Sequence, residues 1–141
     1  MKKLTISIVN YNASEYLISC LGSLRKIKQE LDFEVYIVDN ASSDGSAEKA
    51  KKKFPQFNFI FNKENLGFGK AHNLVLRKSD SPYILTLNPD TEVPRGTLSY
   101  IYDFMEKNPD VGISSSKIEK ADGSIDAASH RGFPTPLASF L

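Results

Sequence analysis

Short apolar runs alternate with stretches in which apolar residues recur every three or four positions, and this rhythm holds from the first residues to about residue 110. Leu4 to Asn10 alternates apolar with small polar residues and then runs apolar, which predicts a central strand. Leu17, Cys20, Leu21 and Leu24 follow at helical spacing, with Asn12 as cap and Glu15 reaching back in a capping box. Phe33 to Val38 predicts a second strand that ends in Asp39. Ala47, Ala50 and Phe54 mark a short helix stopped by Pro55, and Phe57 to Phe61 a third strand. Ala71, Leu74 and Val75 give the third helix, broken at Ser79-Asp80-Ser81-Pro82. Tyr83 to Leu87 reads as a buried fourth strand. Pro94 then opens a helix carrying Leu98, Ile101, Tyr102 and Met105. Val111 to Ser116 predicts a fifth strand, followed by a hairpin turning at Asp122-Gly123. The last dozen residues, with Pro134 and Pro136, show no periodicity.

Strands alternating with helices of about ten residues imply parallel pairing through right-handed crossovers, so the expected class is α/β, in one domain spanning residues 1–141. In such a sheet every strand's carboxyl end lies on one rim. Three of these ends are polar: Asn10-Tyr11-Asn12, Asp39-Asn40 and Asn88-Pro89-Asp90. Residues 30 to 80 apart in sequence therefore converge on one crevice. There Asp39 can accept hydrogen bonds from a ribose or a base edge. Asp90 can bind a divalent cation that neutralises a diphosphate, because Mg²⁺ needs only one or two carboxylates besides phosphate oxygens.

Plainer roles compete with these. Asp39 serves equally well as a turn former, and for Asp44 in Ser-Asp-Gly that role is favoured. His72 has no Cys or His partner at ligand spacing and reads as structural or exposed. Tyr11 suits base stacking or packing over the sheet end. Gly67-Phe68-Gly69 either admits a phosphate close to the backbone or merely turns the chain. A dinucleotide fold of the Rossmann type needs glycines between the first strand and helix, where this chain has Asn10-Tyr-Asn-Ala-Ser14, so NAD binding is rejected.

Composition narrows the field. With 18 basic and 17 acidic residues the net charge is +1, too little to draw the chain to nucleic acid or an anionic membrane. Cys20 is the single cysteine, which excludes an intrachain disulfide, and its apolar neighbours point to packing. Leu4 to Val9 is too short for a signal peptide or membrane span, so a cytoplasmic location is expected.

Four motifs, Ile8-Val-Asn-Tyr-Asn12, Val38-Asp-Asn-Ala-Ser-Ser-Asp-Gly-Ser46, Asn65-Leu-Gly-Phe-Gly69 with Asn73, and Leu87-Asn-Pro-Asp-Thr91, together resemble the family 2 glycosyltransferases, and specifically their rhamnosyltransferase-like subgroup. Lys117-Ile118, Asp122-Gly123 and Arg131 to Thr135 are similar to the segment that follows in that family. The resemblance implies a GT-A domain, a Rossmann-like sandwich around a mostly parallel sheet. It implies inverting sugar transfer from a nucleotide diphosphate sugar, dTDP-rhamnose among the candidates, to a glycan or lipid-linked acceptor. Asn10, Tyr11, Asn12, Asp39, Asn65, Gly67, Asn73 and Asn88 would hold the nucleotide sugar, and Asp90 would hold Mg²⁺ or Mn²⁺. Asn88 departs from the family's Asp-x-Asp, and an amide brings no charge. No residue matches the family's catalytic base, and neither Asp122 nor Asp126 matches a base motif. The chain therefore reads as a donor-binding part lacking the acceptor-binding half. The alternative is a noncatalytic nucleotide-sugar-binding module that needs a second part for turnover. The full enzyme would work in the cytoplasm or at the inner face of the membrane, and exposed apolar surface on this part would favour homo-oligomers.

Overall fold

The computed structural model describes residues 2–126. Within it the chain alternates β1 (Leu4–Asn10), α1 (Ser14–Lys26), β2 (Phe33–Asp39), α2 (Ser46–Lys53), β3 (Asn58–Phe61), α3 (Phe68–Leu76), β4 (Tyr83–Leu87) and α4 (Thr97–Lys107). The described residues form two compact units, 2–99 and 100–126. The four strands make one sheet in the order β3-β2-β1-β4, and every pairing is parallel. The α/β class follows.

Strand order fixes which helices share a face. The chain steps outward from β1 through β2 to β3, then crosses back to β4, so right-handed crossovers put α1 and α2 on one face and α3 on the other. Alternation along the strands agrees. Val9, Tyr36, Val38 and Ile60 pack with Ala71, Leu74 and Val75 of α3. Ile6, Ile8, Val35 and Ile37 point the other way, as do the fully buried Leu17, Cys20, Leu21 and Leu24 of α1. Burying a large aliphatic side chain contributes about 1.5–3 kcal/mol, and β1 with β2 concentrates most of that gain beneath the rim.

Four local expectations are corrected. Asn12 does not cap α1 and no capping box forms. Asn12 has φ +52°, outside N-cap geometry, and its Oδ1 accepts the Ser43 amide at 2.8 Å. The donor at the start of α1 goes instead to Asp44, whose Oδ2 accepts the Ser14 amide at 3.2 Å. Second, β4 is not buried along its length: it pairs only with β1 among the described residues, and of its five residues just Leu87 is buried. An edge strand has cover on fewer sides than its apolar sequence suggests. Third, Val111 to Ser116 forms no strand, and no strand pairs with it among the described residues. Pro94 also lies outside α4, which starts at Thr97.

The turn at Asp122-Gly123 does form. Glu119 and Ile125 make an antiparallel bridge, Lys120 N donates to Ser124 O at 2.8 Å, and Gly123 takes φ +81°, a conformation open to glycine without a Cβ penalty. The segment Arg131 to Thr135 lies outside the described residues. Among them, no helix is long and apolar enough to cross a membrane.

Candidate functional site

Register brings two of the polar ends into contact. Asn10 and Asp39 are Cα partners at the last rung of the β1–β2 ladder, so residues 29 apart stand side by side on the rim. Asn10 Nδ2 donates to Asp39 Oδ1 at 2.8 Å and also faces Ser42 Oγ at 3.0 Å and Ser46 Oγ at 2.8 Å. Two amide hydrogens serve three acceptors, while Asn10 Oδ1, although buried, has none. Asp39 receives the Ser42 amide on Oδ2 at 3.1 Å, so it closes the turn and lines the rim together. The two roles weighed for it coexist. Asn10 is fully buried and Asp39 is 4% exposed, yet each carboxylate oxygen keeps a lone pair for a further donor.

The turn after Asp39 is held from several sides. Ala41 takes φ +63°, which non-glycine residues seldom adopt. It is fixed between Asn40 and Ser42. The Ser42 hydroxyl receives the Asn12 amide at 3.0 Å. Asp44 accepts the first amide of α2, Ser46 N, at 3.0 Å as well as that of α1. The Ser46 hydroxyl and these backbone donors hold the Asp44 carboxyl below the usual carboxylate range. Asp44 is thus the joint between the two helix starts, in keeping with its favoured structural role.

Asn40, which the sequence motifs left without a role, is the hub of the next loop. It is 2% exposed. Its Nδ2 donates to Asn65 Oδ1 at 2.6 Å, and its Oδ1 accepts from Asn62 Nδ2 at 3.1 Å and Leu66 N at 3.0 Å. Asn65 Oδ1 in turn accepts the Gly67 amide at 2.9 Å. The loop from Asn62 to Gly67 is therefore fastened to the end of β2, and Gly67, at φ +78°, leads into α3. Asn65 and Gly67 are thus tied to Asn40, the residue next to Asp39. Asn73, one residue past His72 on α3, is exposed and makes no side-chain bond to the cluster. Tyr11 is 54% exposed and Asn12 is exposed beside it.

The third polar end is more open. Leu87 pairs with Ile8, so β4 stops two rungs short of Asn10, and the chain leaves the sheet through Asn88-Pro89-Asp90. Asn88 and Asp90 are both exposed. Beneath them Cys20 Sγ approaches Asn88 O at 3.9 Å, and Ser23 Oγ accepts the Val93 amide at 3.0 Å, so the segment runs down alongside α1. Burial pushes the Cys20 thiol up to about 12, with smaller contributions from the charges of Asp90 and Glu92. That response marks a local negative field, and a thiol so shifted is not a nucleophile. Among the described residues no three His, Cys, Asp or Glu side chains cluster as a metal cage. One exposed carboxylate with an amide two residues before it fits a cation that arrives with a diphosphate and needs few protein ligands.

A parallel sheet with helices on both faces and polar groups gathered at its carboxyl-end rim defines an α/β class of protein that presents ligand-binding groups at that rim. The glycosyl transferase family 2 profile matches residues 5–137, and the chain belongs to that family. It is 33% identical over 111 residues to the teichoic acid poly(glycerol phosphate) polymerase of Staphylococcus epidermidis, covering 76% of this chain and 15% of that protein. It is 26% identical over 133 residues to the N-acetylglucosaminyl-diphospho-decaprenol L-rhamnosyltransferase of Mycobacterium tuberculosis, covering 86% and 43%. Among solved structures, that of residues 1–349 of S. aureus TarS in complex with UDP superposes with TM-score 0.65 at 26% identity, covering 76% of this chain and 33% of that one. The chain thus spans less than half the length of each of these relatives, and the GT-A architecture is shared.

Proposed function

We propose that this chain is the donor-binding part of an inverting glycosyltransferase that moves a sugar from a nucleotide diphosphate sugar to a glycan or lipid-linked acceptor in cell-envelope polysaccharide synthesis. The observation that carries the reading is the enclosed Asn10–Asp39 pair at the rim in a chain whose family, by its name, transfers glycosyl groups. Asp39, Asn10, Tyr11 and Asn12 hold the nucleoside, with Asn65, Gly67 and Asn73 completing the nucleotide-sugar site. Asn88 and Asp90 face the diphosphate. The relatives support a nucleotide-sugar donor: the TarS structure is a complex with UDP, and another relative is a rhamnosyltransferase acting on a lipid-linked diphosphate. dTDP-rhamnose and UDP-N-acetylglucosamine are the donors to test first.

The chemistry asks for few groups. The sugar passes through an oxocarbenium-like state while the nucleoside diphosphate leaves with growing negative charge. When bound, Mg²⁺ or Mn²⁺ would neutralise that charge. Asp90 is the carboxylate to hold it, and Asn88 orients ribose or a metal-bound water through its amide. A general base must take the acceptor hydroxyl's proton, and no side chain of the described rim is placed for that work. The relatives extend well beyond the matched region. A base contributed from outside these residues is the simplest supply, which makes the second reading, a nucleotide-sugar-binding module without turnover of its own, a direct competitor. An assay of the purified 141-residue chain with radiolabelled donor and a lipid-linked acceptor separates them. We expect donor binding with little transfer, whereas full transfer would end the module reading and require a base among these residues.

A further inference from the structure

Ser23 is the one hydroxyl on the buried stripe of α1, among Leu17, Cys20, Leu21 and Leu24. An apolar residue there would add packing, and a serine inside a helix competes for its backbone. The hydroxyl is used in both directions. Its proton goes to the Cys20 carbonyl, one turn back, at 2.7 Å. Its oxygen accepts the Val93 amide at 3.0 Å, and the direction is fixed because an amide N–H only donates. Ser23 is 8% exposed and Val93 7%, so a bond shielded from water joins residues 70 apart.

That bond holds the segment that carries Asp90. The ladder of β4 stops at Leu87. Beyond it Asn88 to Thr91 form a turn, with Thr91 N donating to Asn88 O at 3.2 Å and Pro89 locking φ at the second position. The turn sets Asp90 relative to its neighbours, but not where the turn itself stands. Two ties to α1 do that. Cys20 Sγ approaches Asn88 O at 3.9 Å at the start of the turn, and Ser23 takes Val93 N just after its end. A thiol is a weak donor, which leaves the serine as the stronger anchor. Packing does not replace it: a cavity of about 220 Å³ opens between the last turn of α1 and residues 92–95, so the segment has room to shift once the bond is gone.

We propose that Ser23 is a positioning residue for the cation site: by holding Val93 against α1 it fixes the turn that carries Asp90, and so sets how much a divalent cation strengthens the binding of a nucleoside diphosphate. The inference rests on the donor-binding reading above, with Asp90 as the carboxylate for the cation, and adds to it a residue that touches neither cation nor nucleotide. A single carboxylate must meet a cation already placed by the phosphates, and a misplacement of about 1 Å weakens such a contact severely. The nucleoside contacts proposed for Asn10 and Asp39 lie at the ends of β1 and β2 and do not run through Ser23. Loss of the Ser23 hydroxyl therefore separates two quantities. Affinity without the cation stays, and the increment that the cation adds shrinks. A serine that served stability alone would lower both or neither.

The test is calorimetric titration of UDP and dTDP into the full chain, wild type and Ser23→Ala, each with Mg²⁺ and with chelator. The expected result is unchanged affinity in chelator and a cation increment smaller by about fivefold or more in Ser23→Ala. Ser23→Thr, which keeps the hydroxyl, should restore most of that increment. Hydrogen exchange at the Val93 amide should be slow in the wild type before any ligand is added and fast in Ser23→Ala. An undiminished increment in Ser23→Ala, an equal loss in Mg²⁺ and in chelator, or an unprotected Val93 amide in the wild type overturns the proposal, and the last of these needs no substitution. If neither nucleotide binds, the donor-binding reading and this inference fall together. If both bind but Mg²⁺ adds nothing in the wild type, the role of Asp90 falls and this inference with it, whereas an intact increment in Ser23→Ala removes this inference alone.

Discussion

At the ends of β1 and β2 a carboxylate is enclosed: Asp39 is 4% exposed, takes hydrogen bonds from Asn10 and Ser42, and borders a turn held by Asp44 and Asn40. At the end of β4 the carboxylate Asp90 stands exposed on the segment that leaves an edge strand. Both belong to one rim, yet the first half is set before any ligand arrives and the second is open. The difference suits the partners proposed for them, a base for Asp39 and a diphosphate for Asp90. A base edge is read by fixed hydrogen bonds, and preorganising them lowers the cost of binding. A diphosphate brings its own charge and its own cation, so one accessible carboxylate is enough.

The sharpest way to break this comparison is Asn10→Asp. The change is nearly isosteric, but it sets a second carboxylate against Asp39 in a buried site and removes the donor between them. We expect a loss of about 3 kcal/mol or more at pH 7 in urea unfolding. The new pair shares a raised folded-state pKa, so the variant should recover as pH falls into the carboxylate range, where one member protonates first in the folded state. Unchanged stability at pH 7 would mean that Asp39 is not enclosed in solution.

Asn40→Ala comes next. It deprives Leu66 N and Asn65 of their partner and should cost about 2 kcal/mol, with faster hydrogen exchange at the amides of Leu66 and Gly67. Asp90→Ala provides the contrast on the open side, where exposed substitutions usually stay within about 0.5 kcal/mol. Equal losses from the two would erase the distinction between the halves.

A further effect is on pH dependence. Burial lowers the His72 pKa from its usual 6.5, so below that pH the unfolded chain binds a proton that the folded one refuses. Stability should therefore be fullest above pH 6.5 and decline as pH falls toward the lower folded value, by at most about 1.4 kcal/mol per pH unit. In His72→Gln that decline should be absent from denaturant midpoints measured between pH 7 and 5. If it persists there, His72 is not the group responsible.

Much of this architecture is legible in the residues themselves. Leu4 to Asn10 and Phe33 to Asp39 announce strands, and Leu17, Cys20, Leu21 and Leu24 announce the buried face of α1, because burial on both sheet faces and on one helix stripe leaves periodic signatures. What the sequence hid depends on partners far along the chain. Tyr83 to Leu87 is as apolar as an interior strand, and nothing local says that it lies at an edge. Val111 and Ile113 look like strand residues but have no strand to pair with among the described residues. Asn12 and Glu15 compose a capping signal, yet the start of α1 bonds to Asp44, 30 residues on. Asn40 likewise spends its amide on Asn62, Asn65 and Leu66, more than 20 residues away. At the site, the meeting of Asn10 and Asp39 was legible from the strand ends, whereas the Asn40 hub that fastens the 62–67 loop to β2 was not.

The most direct test of the divided rim is calorimetric titration of UDP and dTDP into the wild type, Asp39→Ala and Asp90→Ala, each with Mg²⁺ and with chelator. The account predicts that Asp39→Ala abolishes measurable binding in both conditions. Asp90→Ala should bind as weakly with Mg²⁺ as the wild type does with chelator. Wild-type affinity in both variants, with the same response to Mg²⁺, would contradict it.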